Sequence, residues 1–159
     1  AAKALLPFRA VWNRRAARDV RNIMEQQHID AVHIHNTLLL LSPAVVRAAK
    51  KCGVPVVLTP HPGEMARLIG CRIEDVQQNR VETARSFAEE QKAVVVLKGY
   101  QTVIAAPGRA VLLNKSGNPG MAAAGSGDVL SGMIGAFFAQ RYDTVESVVG
   151  AVTKTPPAR

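Results

Sequence analysis

Cysteine is scarce in this 159-residue chain: only Cys52 and Cys71 are present, too few for a disulfide framework and without partners at metal-ligand spacing. That usage predicts a reducing, cytoplasmic setting. Aromatic residues make up only 4% of the chain and are not interleaved with the basic ones. No zinc-finger or single-strand-binding pattern accompanies them, which argues against a nucleic-acid partner. No apolar run approaches the roughly 20 residues that span a bilayer, the longest being broken by Asn36, Ser42 and Pro43. No membrane helix or membrane partner is expected. The opening residues carry Lys3 and Arg9 but no apolar core with a cleavage site, so no signal peptide is expected. The chain opens on Ala1 instead of Met, as a piece of a longer protein would.

What is present fits one globular domain by length, and a composition of 48% hydrophobic and 20% charged residues excludes disorder and a collagen-like fibre. The net charge of +8 is uneven: residues 1–55 hold nine Lys and Arg against three Asp and Glu, and the remainder eleven against nine. A basic surface favours anionic partners such as nucleotides, phosphates, nucleic acid or acidic membranes, and by itself selects none of them.

Phe8, Trp12, Ala16, Val20, Ile23 and Met24 follow the 3.6-residue period of an amphipathic helix. Ala31 to His35 reads as a short strand. Ser42 and Pro43 read as the start of a helix that Gly53 stops near Cys52. Val54 to Thr59 is a β-branched apolar run and a second strand. A short helix over 63–68 ends at Gly70, and Val76, Arg80, Ala84, Phe87 and Ala88 predict a single helix over about 75–91. Ala93 to Leu97 is the clearest strand. Thr102–Ala106 and Ala110–Asn114 flank Pro107, Gly108 and Arg109 as a hairpin with a three-residue loop. A glycine-rich loop over 116–127 feeds a helix to about Gln140, and a last helix lies near 144–153. The predicted class is α/β, with a mostly parallel sheet, helices on both faces and an antiparallel hairpin.

Three clusters could carry chemistry. In the first, Gly125 and Gly127 let the backbone approach a ligand, and the first helical turn directs amides at it, as an anion site requires. Asp128 lies in that turn and would suit a general base. A glycine-rich turn with Asp128 as a helix-start residue explains the same pattern, and no Gly-Lys-Ser/Thr of a Walker loop follows. In the second, His61 and Glu64 fall at the C-terminal end of a parallel strand, where ligands bind in open α/β sheets. They also read as a turn residue and a helix-dipole partner. In the third, Lys98, Gly99, Tyr100, Gln101 and Thr102 follow a strand and could bracket phosphate or base, with Lys98 equally at home on a solvated surface. His33, His35 and Asn36 could bind a sugar or phosphate but lack a third metal partner and suit an ordinary strand end. Leucines 38–41 read as packing.

Three of these stretches, VVLTPHPGEMARL, VVVLKGYQTVIAAP and NPGMAAAGSGDVLSG, occur in an order and spacing that resemble the C-terminal part of the ADP- or ATP-dependent NAD(P)H-hydrate dehydratases, over about residues 56–149. The resemblance implies a partial ribokinase-like, Rossmann-like three-layer architecture. It implies that Gly125, Ser126 and Gly127 form an anion hole, and that Asp128 is the catalytic acid/base and contacts substrate. His61 would touch the hydrated nicotinamide, and Lys98 to Thr102 with Gly127 would hold the adenine nucleotide. Glu64 resembles the glutamate that organises Mg²⁺ indirectly in the wider kinase superfamily. The implied activity is a hydro-lyase that repairs hydrated NADH and NADPH: phosphate passes from ADP or ATP to the hydrate hydroxyl and then leaves.

Residues 8–61, around VHIHN and LLSP, instead resemble the N-terminal domain of family 4 (GT-B) glycosyltransferases, so a chimera joined near residues 54–61 is one expectation. The organisation expected is a glycosyltransferase-like segment over 1–55, a ribokinase-like segment over 56–153 and a disordered tail over 154–159, in one compact unit. A complete dehydratase is expected to be longer, with an N-terminal substrate-binding portion that has no match here. The competing functions are a non-catalytic α/β scaffold, which nucleotide would not stabilise, and a glycosyltransferase fragment, which would answer to sugar nucleotides. The partners expected are small nucleotides, and a homo-oligomer is allowed.

Overall fold

The computed structural model describes residues 13–29, 32, 44–116, 125–140 and 143–154. They belong to two compact units, Ala1–Val56 and Val57–Arg159; the sequence placed its segment boundary at 55/56 within one unit. Apart from Val32, the expected strand over 31–35 lies outside the described residues, and so do His33, His35, Asn36, leucines 38–41, the Asn118–Ala124 half of the glycine loop, the expected tail beyond Lys154, Phe8 and Trp12.

In the first unit, helix α1 (Arg14–Gln27) starts where Asn13 Oδ1 accepts from Ala16 N at 3.0 Å and ends at His28 in the left-handed region. Helix α2 (Ala44–Lys51) follows. Met24, Ala48, Ala49 and Val54 form the core, with Ala17 and Val20 against it. Ile23, expected on the buried face, is 55% exposed. At about 100° per residue, the stripe Ala17, Val20 and Met24 turns Ile23 to the flank.

The second unit carries the sheet. Strand β1 (Val57–Leu58) leads to helices α3 (Pro62–Ile69), α4 (Ile73–Gln78) and α5 (Arg80–Gln91), then strands β2 (Val94–Leu97), β3 (Val103–Ala105) and β4 (Leu112–Leu113), and helices α6 (Ser126–Ala139) and α7 (Thr144–Lys154). The expected helix over 75–91 is thus two helices and starts earlier. They meet at Asn79, whose φ of −125° and ψ of 37° leave helical geometry, and whose Nδ2 donates to Asp75 O at 3.5 Å. An asparagine that bonds its own backbone ends a helix readily.

The sheet order is β1-β2-β3-β4. Strands β1 and β2 pair in parallel, Val57 opposite Val94, while β2–β3 and β3–β4 are antiparallel, with Val96 opposite Ile104 and Val103 opposite Leu113. The class is α/β as expected, with a mixed sheet in which parallel pairing is the smaller share among the described strands. At the hairpin tip, Gly108 N donates to Glu89 Oε1 at 2.6 Å.

Alternation along the strands builds three layers. Val95, Leu97, Val103 and Ala105 face Met65, Val76, Ala84 and Phe87 of α3, α4 and α5. Val94, Val96 and Ile104 face Leu130 and Ile134 of α6 and Val148 and Ala151 of α7. All four residues of β2 are buried, as a strand covered on both faces requires. No described helix is long and apolar enough to cross a membrane.

Candidate active site

Strand β1 gives way to Thr59, Pro60 and His61, and α3 begins at once. His61 Nδ1 accepts from Glu64 N at 3.2 Å, and Glu64 Oε2 accepts from His61 N at 2.7 Å, a reciprocal capping box. Pro62 at the first helical position fits because no amide partner is needed there. An imidazole accepting at Nδ1 carries its proton at Nε2, which lies 3.4 Å from Glu64 Oε1. His61 and Glu64 are therefore interlocked, and both remain exposed at the end of β1.

Lys98 follows β2. Its amide donates to Pro60 O at 2.9 Å, which lashes the ends of β1 and β2 together. Its ammonium lies 3.8 Å from Glu64 Oε2. The same Nζ would be 3.3 Å from a Cβ placed on Gly127. One half-buried lysine thus lies beside both the capping box of α3 and the start of α6.

Helix α6 begins at Gly125, whose φ of 86° is the left-handed conformation glycine favours, and no side chain caps it. Gly125 O accepts from Asp128 N at 3.0 Å and Val129 N at 3.1 Å. The amides of Ser126 and Gly127 precede the first intrahelical bonds, beside a cation. Asp128 is exposed in this first turn.

The structure therefore brings together His61, Glu64, Lys98 and Gly127, with Gly125, Ser126 and Asp128 on the same helix start. Of the other expected residues, Thr102 Oγ1 donates to Gly99 O at 3.1 Å and closes the turn. Tyr100, 81% exposed, and Gln101, at φ 53°, line an open groove of about 570 Å³ with Gln77, Asn79, Arg80 and Leu113, apart from the Lys98 cluster. Arg80 was not singled out for function by sequence. Its Nη2 donates to Leu97 O at 3.1 Å and Lys98 O at 3.4 Å, and burial holds its pKa below the usual arginine value. The signal was legible: an arginine stood among the apolar positions of the predicted helix.

The family model described as NAD(P)H-hydrate dehydratase matches residues 29–156. The chain belongs to the NAD(P)H-hydrate dehydratase family. The match starts well before residues 54–61, where a junction was expected, and takes in the 29–55 stretch that also resembled a glycosyltransferase. A bifunctional NAD(P)H-hydrate repair enzyme of Moorella thermoacetica is 59% identical over 80 residues, covering 50% of this chain and 15% of that protein. The ADP/ATP-dependent NAD(P)H-hydrate dehydratase of Bacillus subtilis, solved after co-crystallisation with ATP and Mg²⁺, superposes with a TM-score of 0.62 at 42% identity, over 64% of this chain and 37% of that one. A ribokinase-like superfamily protein of Enterococcus faecalis superposes with a TM-score of 0.58 at 27% identity, over 91% of this chain and 49% of that one. The fold is ribokinase-like. The chain spans less than half the length of each of these relatives.

Proposed function

We propose that this chain forms the nucleotide-binding and catalytic part of an ADP- or ATP-dependent (S)-NAD(P)H-hydrate dehydratase, a hydro-lyase of metabolite repair. The observation that carries the reading is Lys98. Its ammonium stands between Glu64 and Gly127 and joins at one point three motifs that lie far apart in sequence. A fixed cation beside the open amides of a helix start is the arrangement that stabilises phosphate and the charge that develops as it is transferred.

In this reading Lys98 and the turn through Thr102 hold the nucleotide, with Gly127 allowing close approach. Gly125, Ser126 and Gly127 direct their amides at the phosphate. Asp128 takes the proton from the hydrate hydroxyl as that oxygen accepts phosphate. Phosphate then departs with the former hydroxyl oxygen, the neighbouring ring carbon gives up a proton to solvent, and the electron pair of that C–H bond forms the ring double bond that restores the reduced nicotinamide. Positioning and charge neutralisation supply most of such a reaction.

Among the described residues, no three His, Cys, Asp or Glu side chains gather as a metal cage. Magnesium is ordinarily held by one or two carboxylates with water and substrate phosphates, so Glu64, already engaged by His61 and Lys98, fits holding it through water. The ion would supply charge neutralisation on the phosphates. His61, exposed beside Glu64, is the candidate contact to the nicotinamide. The free thiols of Cys52 and Cys71 support a reducing, cytoplasmic setting.

The test is thermal unfolding with millimolar ADP-Mg²⁺ or ATP-Mg²⁺, with a UDP-sugar as control. A ligand at a hundred times its Kd adds about 2.7 kcal/mol, which for a chain of this size raises Tm by about 5–10 °C. A rise with adenine nucleotides alone is expected. A rise with UDP-sugar alone would favour the glycosyltransferase reading, and no rise with any ligand would favour a non-catalytic scaffold.

A further inference from the structure

The turn after β2 is held from two sides. The Lys98 amide is tied to Pro60 O, and the carbonyls of Leu97 and Lys98 are tied to the Arg80 guanidinium. Gly99 follows with φ 138°, and a Cβ there would collide with that guanidinium. Glycine is needed at 99 both for its backbone and for the room Arg80 occupies. Two nearby arginines find carboxylates: Arg72 pairs with Asp75 and Arg85 with Glu82. Among the described residues Arg80 meets carbonyl oxygens instead, at the cost of partial burial of its charge.

With both the N–H and C=O of Lys98 engaged, its backbone is fixed and only its side chain is left to move. We propose that Arg80 is a positioning residue: by holding the Leu97 and Lys98 carbonyls it fixes this turn and so aims the Lys98 ammonium at Glu64 and the start of α6. The role in nucleotide binding rests on the function proposed above; the holding of the turn does not.

The test uses the full chain with Arg80→Met, which keeps the apolar stem, and Arg80→Lys, which keeps the charge but loses the fork. In the ligand-free protein, amide hydrogen exchange at Lys98 should quicken about 10-fold or more in Arg80→Met, with Val95 and Val96 unchanged. Unchanged exchange at Lys98 overturns the proposal. Calorimetry with ADP supplies the second arm. Arg80→Met and Lys98→Met should each weaken binding by about 10-fold, and the double variant should be no weaker than Lys98→Met alone, because one acts through the other. Additive losses overturn that link. Arg80→Lys should recover part of the affinity, and where Arg80→Met does not fold it carries the same cycle with a smaller loss. Arg85→Met, on the exposed side of α5, should move neither readout. A wild-type chain that binds no ADP would sink the functional reading, while the exchange arm still decides on Arg80.

Discussion

Helix α3 begins with a reciprocal side-chain cap, whereas helix α6, whose start lies beside the same Lys98 ammonium, begins at Gly125 with no side-chain cap. His61 and Glu64 each accept from the other's backbone amide, so the start of α3 is capped without a ligand. The start of α6 is built from three small residues and an exposed aspartate. The contrast separates two uses of one physical device: a capped helix start locks the chain, and an uncapped one, lined by glycine and faced by a cation, is open to an anion.

The sharpest way to break the contrast is at Asp128. Asp128→Ala should lower turnover of hydrated NADH by about 10²- to 10⁴-fold while the Tm rise with ADP-Mg²⁺ stays nearly whole. Full turnover would remove Asp128 from its role. Gly127→Ala comes next. Its Cβ would meet only the far end of the Lys98 side chain, so urea stability should change by less than about 0.5 kcal/mol, yet displacing the ammonium should weaken ADP binding by about 10-fold. Intact affinity would mean that the open helix start is not where phosphate sits.

At the capped end the order should reverse. His61→Ala removes a cap and should cost about 1 kcal/mol of stability in urea unfolding; a loss no larger than that of an ordinary surface change would make α3 no better capped than α6. The smallest effect concerns the start of α4, where Asp75 accepts from the Arg72 amide and guanidinium and the hydrogen-bonded Arg72 side chain holds the Asp75 carboxyl below its usual pKa. A depressed folded-state value means the contribution is present above the ordinary carboxylate range and is lost as pH falls through the depressed value. Arg72 is largely exposed and Asp75 partly so, so the expected effect is slight. Acid unfolding of Asp75→Asn against wild type should differ at neutral pH and converge at low pH, and curves separated by the same amount at every pH would contradict the linkage.

The sequence made the strands and most helix ends legible because local chemistry fixes them. Gly53 and Gly70 end helices as expected, both at positive φ, and the apolar run at Ala93–Leu97 could only be a buried strand. The break at Asn79 was not legible: the apolar period continues through it, and the helix ends where the Asn79 backbone leaves helical geometry. At the candidate site, the three motifs are the segments that meet around Lys98, but two things depended on tertiary geometry. That His61 serves as a cap follows from its Nδ1 accepting from Glu64 N, and that Arg80 serves Lys98 follows from a contact across 17 residues of sequence. Shortened β1 has a similar cause, since Val54 is spent on the core of the first unit.

The fixed backbone at Lys98 also has an entropic meaning. Ordering a residue's backbone costs about 1–2 kcal/mol, and a lysine side chain up to about 2 kcal/mol. A floppy Leu97–Gly99 turn would charge the backbone term for three residues to every binding event. Here Pro60 O and Arg80 already hold it in the folded chain, so an anion bound as proposed would have little left to freeze beyond the four-carbon stem of one lysine.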